Sequence, residues 1–403
     1  MKICHLLATF PYREQLTGEV SGGRYRFGGI GQYVLCLSKE LARMGHRITI
    51  VSPKAPQHHR LSEIELDGVD IQRVSPIVNV YSCSLPLGIL GSFKAKEYDI
   101  VHAHTPVPAI AELAALRMNG KTPLVLGYHN DVVKTGSIGR ALSNIYGFAM
   151  CPLLLKRADT IVTLTDSLAR SSKRLAGYSH KVKVVPGAVD TERFNPRLDG
   201  NSIRKKYDLG KETKIVLFVG ILDTYKGCDY LIRAMFTVAS RVPEAHLMLV
   251  GTGPMTEDLK TITARLDIEN NIIFAGFVPD EDLPYYYAAC DVFALPSVSA
   301  EEGFGLVQLE AMACGKPVVT TTIPGVCEVD AAEAATIHVP PKDTEALAAA
   351  ITVILNDKKL AARLGGNGRK LVEDKYTWAK VASDMQDVYY QTINDKKQGR
   401  VRR

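Results

Sequence analysis

The sequence of 403 residues contains no apolar run long enough to cross a membrane. A transmembrane helix needs about 18 consecutive apolar residues, whereas the best candidate, 147–155, is shorter and contains Pro152. The first twelve residues hold one lysine and a short apolar run that His5 interrupts, which is a poor signal peptide and a good first β-strand. We therefore expect a cytoplasmic location.

Paired cysteines are also missing. The chain has eight cysteines, but no two of them are spaced C-x-x-C, and several lie inside apolar runs. This pattern excludes a disulfide framework and the common zinc motifs, and it predicts reduced core thiols. His102 and His104 lie at the end of one predicted strand and His129 at the end of another, and we favour polar strand-end roles for these histidines over a metal site.

Two nucleotide-binding signatures are incomplete. The segment Phe27–Gly28–Gly29–Ile30–Gly31 lacks the third glycine of G-x-G-x-x-G, because Val34 stands there, and Gly315–Lys316 is followed by proline rather than Ser or Thr. A nicotinamide oxidoreductase and a P-loop NTPase are therefore disfavoured. The glycines still allow a ligand to approach the backbone at the start of the helix that follows, and a tight turn without a ligand is the alternative.

The net charge of +6 is unevenly distributed. Residues 1–190 carry 23 Lys/Arg and 14 Asp/Glu, a balance of +9, and residues 191–403 carry 26 and 29, a balance of −3. A basic first half suggests an anionic partner, such as a phosphorylated ligand or an anionic membrane, although a solvated basic surface explains it equally well. No basic face rich in aromatic residues supports nucleic-acid binding.

Short apolar strands alternate with amphipathic helices along both halves of the chain. In the first half the strands are predicted at Lys2–Thr9, Arg47–Ser52, Ile100–His104, Pro123–His129, Thr160–Thr165 and Val182–Pro186. In the second half they are predicted at Lys214–Gly220, His246–Gly251, Asn271–Gly276, Val292–Pro296, Pro317–Thr322 and Ala335–Pro340. Continuous apolar strands that alternate with helices predict parallel sheets. The fold class is therefore α/β, with two doubly wound Rossmann-like domains facing across a cleft.

The predicted domains are residues 1–190 and 191–375. The polar stretch 187–211 is interpreted as the linker, and a C-terminal helix at 376–395 is expected to cross back to the first domain.

The segment 301–319 is the richest in candidate functional residues. Glu302 precedes a Gly303–Phe304–Gly305 turn, and Glu310 follows eight residues later inside an apolar helix. A carboxylate accepts two hydrogen bonds at once, which suits vicinal sugar hydroxyls, and the backbone N–H groups of 303–306 can hold oxygens at the helix start. The alternatives are a solvated acid at 302 and an ion-paired acid at 310. Lys226 follows the first strand of the second half, at the carboxyl end of a parallel strand, where such folds bind ligands.

These motifs, taken in order, resemble a family 4 glycosyltransferase of the GT-B fold over nearly the whole chain. The resemblance is carried by FGGIGQYVLCLSKELARMGH, DIVHAHTP, GYHNDVV, VVPGAVDTERFNP, FVGILDTYKGCDYLI, LVGTGP, FAGFVPDEDLPYYYAACDVFALPS and EEGFGLVQLEAMACGKPVV. The last segment contains the E-x7-E signature of that family at Glu302 and Glu310. The resemblance implies transfer of a hexose from a nucleotide-sugar to an acceptor hydroxyl with retention of configuration and without a metal or other cofactor.

The resemblance also implies residue roles. Gly29 would approach the diphosphate, and Lys226 would neutralise it as it leaves. Glu302 and the amides of Gly303, Phe304, Gly305 and Leu306 would hold the hexose. Glu310 would bind the ribose hydroxyls, the backbone of Val278 would contact the base, and His129 would face the donor sugar or the acceptor.

One position departs from the family pattern. The family usually has an arginine that clamps the diphosphate where this sequence has Ile221. Isoleucine cannot grip phosphate, so another basic residue substitutes, diphosphate binding is weaker, or the protein is an inactive binding relative. We favour substitution because the two glutamates, the lysine and the glycine loop remain.

The GYHNDVV segment resembles mannosyltransferase members, so GDP-mannose is the first donor expected, with UDP-glucose or another UDP-sugar as the alternative. A nucleotide-sugar epimerase of similar architecture is a further alternative. The acceptor is expected to be a glycan, a lipid or a lipid-linked glycan. Basic residues that bracket the apolar stretch 145–155 suggest contact with an anionic membrane, and an amphipathic helix packed on its own domain is the alternative. They are Lys134, Arg140, Lys156 and Arg157.

Overall fold

The computed structural model describes residues 1–17, 29–55, 62–76, 78–80, 83–105, 110–118, 120–130 and 151–399. The chain divides into two compact units. The first comprises Met1–Gly187 together with Trp378–Arg403, and the second comprises Ala188–Thr377. The last helix therefore belongs to the first unit although it follows the second in sequence.

The first unit is built on a seven-stranded parallel sheet in the order β3-β2-β1-β6-β7-β8-β9. Its strands are β1 (Lys2–Leu6), β2 (Arg47–Pro53), β3 (Val69–Val74), β6 (Ile100–Thr105), β7 (Leu124–Tyr128), β8 (Thr160–Thr163) and β9 (Val182–Val184). A separate antiparallel pair consists of β4 (Val78–Val80) and β5 (Cys83–Leu85). The described helices are α1 (Arg13–Thr17), α2 (Gly29–Arg43), α3 (Ile89–Ser92), α4 (Ile110–Arg117), α5 (Cys151–Arg157) and α6 (Asp166–Ser171).

The second unit is built on a six-stranded parallel sheet in the order β12-β11-β10-β13-β14-β15. Its strands are β10 (Lys214–Val219), β11 (Ala245–Val250), β12 (Ile272–Gly276), β13 (Val292–Leu295), β14 (Val318–Thr321) and β15 (Thr336–Val339). Its helices are α7 (Asn201–Lys206), α8 (Cys228–Arg241), α9 (Thr256–Arg265), α10 (Leu283–Ala289), α11 (Leu306–Ala313), α12 (Thr344–Asn356) and α13 (Lys358–Lys375). The last helix of the chain, α14 (Trp378–Lys397), packs on the first unit.

The predicted fold class is confirmed. All twelve strands expected from apolar runs are present, because strands buried on both faces of a parallel sheet have a continuous apolar sequence. The sequence analysis missed β3, β4 and β5. Strand β3 lies at the sheet edge, where residues such as Asp70 and Gln72 are exposed on alternate positions.

The interpretation of 187–211 as a linker is wrong for most of that stretch. Phe194 is buried and meets the ring of Tyr287 edge-on, with centroids 5.6 Å apart. Arg204 of α7 donates to the Asp291 carboxylate at 3.1 Å and to the backbone oxygen of Thr213. The stretch therefore belongs to the second unit, and its polar side chains misled the prediction because they anchor backbone groups instead of facing only water.

The C-terminal helix is held to the first unit by polar contacts along its length. On α14, the Gln386 side chain lies 2.7 Å from His46, the Thr392 hydroxyl lies 2.8 Å from that of Thr160, and Lys396 pairs with Asp159 at 2.5 Å. These contacts alternate with buried apolar residues of the same helix.

Of the seven cysteines whose side chains the structure describes, none forms a disulfide and five are buried, as expected for core thiols. None of the helices in the described part of the chain has the length and apolar character that spanning a membrane requires.

Candidate functional site

A buried ion pair lies beyond the carboxyl ends of two central strands of the second sheet. Lys226 follows β10 and Glu302 follows β13, and these two strands are neighbours, so both side chains come from carboxyl ends of the sheet. The Lys226 Nζ and a Glu302 carboxylate oxygen are paired directly, and each side chain is about nine-tenths buried. The Ser297 hydroxyl donates to the same carboxylate oxygen at 3.2 Å. The alternative of a solvated acid at 302 is therefore wrong.

The electrostatics of this pair keep the lysine charged. Burial is the largest single influence and lowers the pKa of Lys226, but the charge and hydrogen bond of Glu302, together with Tyr225 and Cys228, outweigh it, and the net shift of the lysine pKa is upward. The Lys226 side chain therefore stays positively charged just after β10, where it can attract a second anion.

Glycine makes the close packing around this pair possible. Gly227 has φ +67°, and a Cβ atom there would lie 2.2 Å from the Pro296 carbonyl oxygen. Gly305 has φ +71°, and a Cβ atom there would lie 2.6 Å from Cδ2 of Leu295. Both positions are left-handed and crowded, so only glycine is tolerated without strain.

The start of α11 presents free backbone donors. None of the amides of residues 303–306 donates a hydrogen bond to another residue in the described ranges. Such N–H groups at a helix N-terminus attract anions and hydroxyl oxygens. The Phe304 side chain points inward, where it is buried and meets Tyr376 edge-on at 6.1 Å, so only its backbone is available to a ligand. Leu306 is the first helical residue and Gly303 is partly buried.

Glu310 lies one turn further along α11 and is partly exposed. It accepts a hydrogen bond of 2.7 Å from the Tyr287 hydroxyl of α10. Burial raises the pKa of Glu310 to about 7, while the Tyr287 hydrogen bond opposes that rise. Asp280 and Arg193 act on it from nearby with opposite signs and are themselves paired at 2.8 Å. The expected alternative of a direct ion pair at Glu310 is not what the structure shows: its hydrogen-bond partner is a tyrosine.

Three further predicted positions lie among the described residues, but none of their contacts there assigns a functional role. Val278 follows β12 and is partly buried beside Phe277, whose side chain is 48% exposed. Ile221 follows β10 and is partly buried. Gly29 is the exposed first residue of α2, and a Cβ atom added there would meet nothing within 4 Å. Gly28 lies outside the described residues.

Four histidines form a buried cluster in the first unit. Nδ1 of His5 lies 3.0 Å from Nε2 of His104, and Nδ1 of His104 lies 3.0 Å from Nε2 of His129. The His102 ring is tilted by 32° against that of His104, with centroids 4.1 Å apart, and its Nδ1 lies 2.7 Å from the Tyr389 hydroxyl. Burial lowers the pKa of His5 to about 3 and of His129 to about 4, and it lowers those of His102 and His104 well below the ordinary value.

Sequence reasoning placed His102, His104 and His129 at strand ends but missed His5. Its signal was the pairing of β1 with β6, which sets His5 directly opposite His102. Nitrogens of His5, His102 and His104 lie within 4.8 Å of one another, close enough for a metal ion if the side chains reorient. In the structure, however, His104 uses both of its nitrogens for hydrogen bonds to other imidazoles.

A basic cavity of about 1740 Å³ occupies another part of the first unit. Asp99 and Asp159 are among its lining residues, but cations outnumber them. The lining cations are Lys96, Lys121, Lys156, Arg157, Lys181, Lys396 and Lys397. Lys156 and Arg157 had been singled out from the sequence; Lys134 and Arg140 lie outside the described residues, as does the first part of the apolar stretch 145–155.

Two family models match consecutive parts of the chain. "Glycosyltransferase Family 4" matches residues 27–193, and "Glycosyl transferases group 1" matches residues 199–371. Together the matches cover most of both units.

Individual relatives agree with these matches. A GDP-mannose-dependent alpha-(1-6)-phosphatidylinositol monomannoside mannosyltransferase of Mycolicibacterium smegmatis is 30% identical over 88% of this chain and 92% of its own length. An uncharacterized glycosyltransferase of Methanocaldococcus jannaschii is 29% identical over 90% of this chain and 94% of its own. Among solved structures, a sucrose-phosphate synthase from Thermosynechococcus elongatus superposes with a TM-score of 0.78 at 24% identity, over 97% of this chain and 98% of its own.

Proposed function

Since this chain belongs to the family 4 glycosyltransferases and has the GT-B fold, we propose that it transfers a hexose from a nucleotide-sugar to an acceptor hydroxyl with retention of configuration. The observation that carries the proposal is the buried Lys226–Glu302 pair beside the amides at the start of α11, which donate to no other residue in the described part of the chain. This arrangement combines a fixed cation, a carboxylate and hydrogen-bond donors, which are the groups needed to hold a sugar diphosphate.

Each group has a role in donor binding. The Lys226 ammonium meets the diphosphate, and Glu302 with the amides of Gly303, Phe304, Gly305 and Leu306 binds the hexose hydroxyls. Further along α11, Glu310 accepts from the ribose hydroxyls, and the backbone of Val278 contacts the base. On the first unit, Gly29 approaches the diphosphate and His129 faces the donor sugar or the acceptor.

The chemistry proceeds on one face of the sugar. The bond between the anomeric carbon and the diphosphate oxygen breaks, the acceptor oxygen bonds to the same face of that carbon, and the departing phosphate takes the acceptor proton. Negative charge grows on the diphosphate during this step, and Lys226 and helix N-termini stabilise it electrostatically. No protein nucleophile and no metal ion is needed in this scheme.

We propose GDP-mannose as the donor and a lipid-linked or glycan hydroxyl as the acceptor. The GYHNDVV segment supports this choice, and so does the similarity to a mycobacterial mannosyltransferase whose name specifies GDP-mannose and a phosphatidylinositol glycolipid. UDP-glucose is the competing donor. Lys156 and Arg157, exposed at the basic cavity, support peripheral contact with anionic lipid.

The test is a donor screen with a matched pair of variants. Purified protein is incubated with GDP-mannose or UDP-glucose and a candidate glycolipid acceptor, nucleotide release is quantified, and the anomeric configuration of the product is read by NMR. Glu302→Gln is expected to lower turnover at least about 100-fold, whereas Glu301→Gln, its sequence neighbour, stays near wild type. Equal activity of the two variants, or an inverted product, would contradict the proposal.

Membrane contact is tested separately by liposome flotation. At low salt the protein is expected to float with vesicles that contain anionic lipid and to stay at the bottom with neutral vesicles. Charge reversal by Lys156→Glu should weaken flotation. An absence of lipid-dependent flotation would contradict the proposed membrane contact but not the proposed sugar transfer.

A further inference from the structure

The histidine cluster is arranged by the sheet of the first unit. In the parallel register His5 of β1 faces His102 of β6, and His104 faces Gly127 of β7, so the imidazoles crowd on one face. A Cβ atom at Gly127 would lie 2.8 Å from Nδ1 of His104 and 3.0 Å from Nε2 of His102. The absence of a side chain at 127 thus leaves the space in which the chain His5–His104–His129 forms.

The hydrogen-bonding capacity of neutral imidazole allows only two arrangements of protons on the three rings His5, His104 and His129. A neutral imidazole has one N–H donor and one acceptor nitrogen, and the three buried rings are joined by two contacts of 3.0 Å. The middle ring, His104, must therefore donate to one neighbour and accept from the other, so both hydrogen bonds point in the same direction. Either His129 donates to His104 and His104 donates to His5, or His5 donates to His104 and His104 donates to His129.

The two patterns differ in the protonation of His5, the ring at one end of this series. Nε2 of His5 is buried and has no hydrogen-bond partner among the residues that the structure describes. The first pattern leaves an orphaned N–H on that atom, and the second leaves only an unused lone pair. Orphaned buried N–H donors are rarer than under-used acceptors, so the second pattern is favoured. It places the His129 proton on Nδ1.

We propose that His104, supported by His5, is a positioning residue that holds His129 in its Nδ1–H tautomer. His129 then offers a fixed N–H donor to an oxygen of the sugar or the diphosphate, and its Nε2 is occupied by His104. The substrate half of this inference rests on the proposed function, whereas the tautomer is a property of the protein alone.

Two substitutions at position 104 test the roles of the two His104 nitrogens separately. An asparagine amide reaches the place of Nδ1 and can still donate to Nε2 of His129. A glutamine amide reaches the place of Nε2 and can satisfy only His5. Both variants lose the imidazole and its packing, so each of them is the control for the other. The fluorescence of Trp378, the single tryptophan, checks that the first unit remains folded in both variants.

The experiment is a long-range ¹H–¹⁵N correlation spectrum of histidine-labelled full-length protein, with His129 assigned by His129→Gln. The expected result is a protonated Nδ1 and an unprotonated Nε2 on His129 in the wild type and in His104→Asn, and a shift of the proton towards Nε2 in His104→Gln. With the donor that the screen identifies, kcat/KM should fall roughly tenfold in His104→Gln and stay within about twofold in His104→Asn.

Several results would overturn the inference. They are a wild-type His129 protonated on Nε2, an identical tautomer and rate in the two variants, or stoichiometric zinc uptake by the wild type that removes these signals, which would make the cluster a metal site. Failure of the proposed function looks different, because the wild type would then transfer no sugar while the tautomer pattern is still observed.

Discussion

Removal of the Lys226 charge should destabilise the second unit strongly. Lys226→Met keeps most of the aliphatic side chain but leaves the Glu302 carboxylate about nine-tenths buried, with the Ser297 hydroxyl as its only remaining hydrogen-bond partner among the residues that the structure describes. Loss of one partner from a buried ion pair costs about 3–5 kcal/mol, because the remaining charge is left unpaired. For a unit of this size, about 2–4 °C of Tm corresponds to 1 kcal/mol. We therefore expect the Tm of the second unit to fall by roughly 6–20 °C.

The matched control removes both charges. Lys226→Met/Glu302→Gln replaces the pair by neutral groups and should recover most of the lost stability, although sugar transfer stays abolished. Differential scanning calorimetry follows both units, and Trp378 fluorescence follows the first unit, which should not change. A loss below about 1 kcal/mol in the single variant, or a double variant no more stable than the single one, would refute the reasoning.

Four further predictions follow from the same geometry. Gly227→Ala should lower the stability of the second unit by more than 1 kcal/mol in urea unfolding, whereas Gly29→Ala, where the added Cβ meets nothing, should leave stability unchanged. Nucleoside diphosphate affinity, measured by calorimetry, should rise about tenfold between pH 6 and pH 8, because the Glu310 pKa is about 7 and only the carboxylate accepts from both ribose hydroxyls; Glu310→Gln should flatten this profile. Tyr287→Phe removes the hydrogen bond that opposes the rise of the Glu310 pKa, so the midpoint of the profile should move to higher pH. Ile221→Arg should tighten donor binding if no other base has replaced the family arginine, and an unchanged Kd would indicate that a substitute already exists.

The Glu310 carboxyl also links pH to folding. Its folded pKa of about 7 lies above the ordinary value, since burial favours the protonated form. The folded state therefore binds the proton more tightly than the unfolded state, and this contribution to stability is complete at acid pH and is lost as the pH rises through about 7. The sign is opposite to that of a salt-bridged acid.

Strand positions and the E-x7-E segment could be predicted from sequence because their causes are local. Buried parallel strands need continuous apolar residues, and the turn at Gly305 needs a residue that accepts positive φ. The edge strand β3 and the folded stretch after Ala188 were missed, because polar side chains look the same in a sequence whether they face water or cap a neighbouring backbone.

The partners of the charged residues could not be predicted, because they come from distant parts of the chain. Lys226 and Glu302 are 76 positions apart and meet only because β10 and β13 are neighbours. His5 joins His104 across 99 positions for the same reason, through the pairing of β1 with β6. Strand order, which no local pattern specifies, decides both contacts.

The most direct test of the central claim is isothermal titration of the purified protein with GDP, UDP, ADP and NAD, repeated for the best binder with Glu310→Gln. We predict that one nucleoside diphosphate binds and that its affinity falls roughly 10- to 100-fold in the variant, since a charge-assisted hydrogen bond contributes about 1.5–3 kcal/mol. Absence of binding by all four nucleotides, or equal binding by wild type and variant, would contradict the assignment of the second unit as the site of a nucleotide-sugar donor.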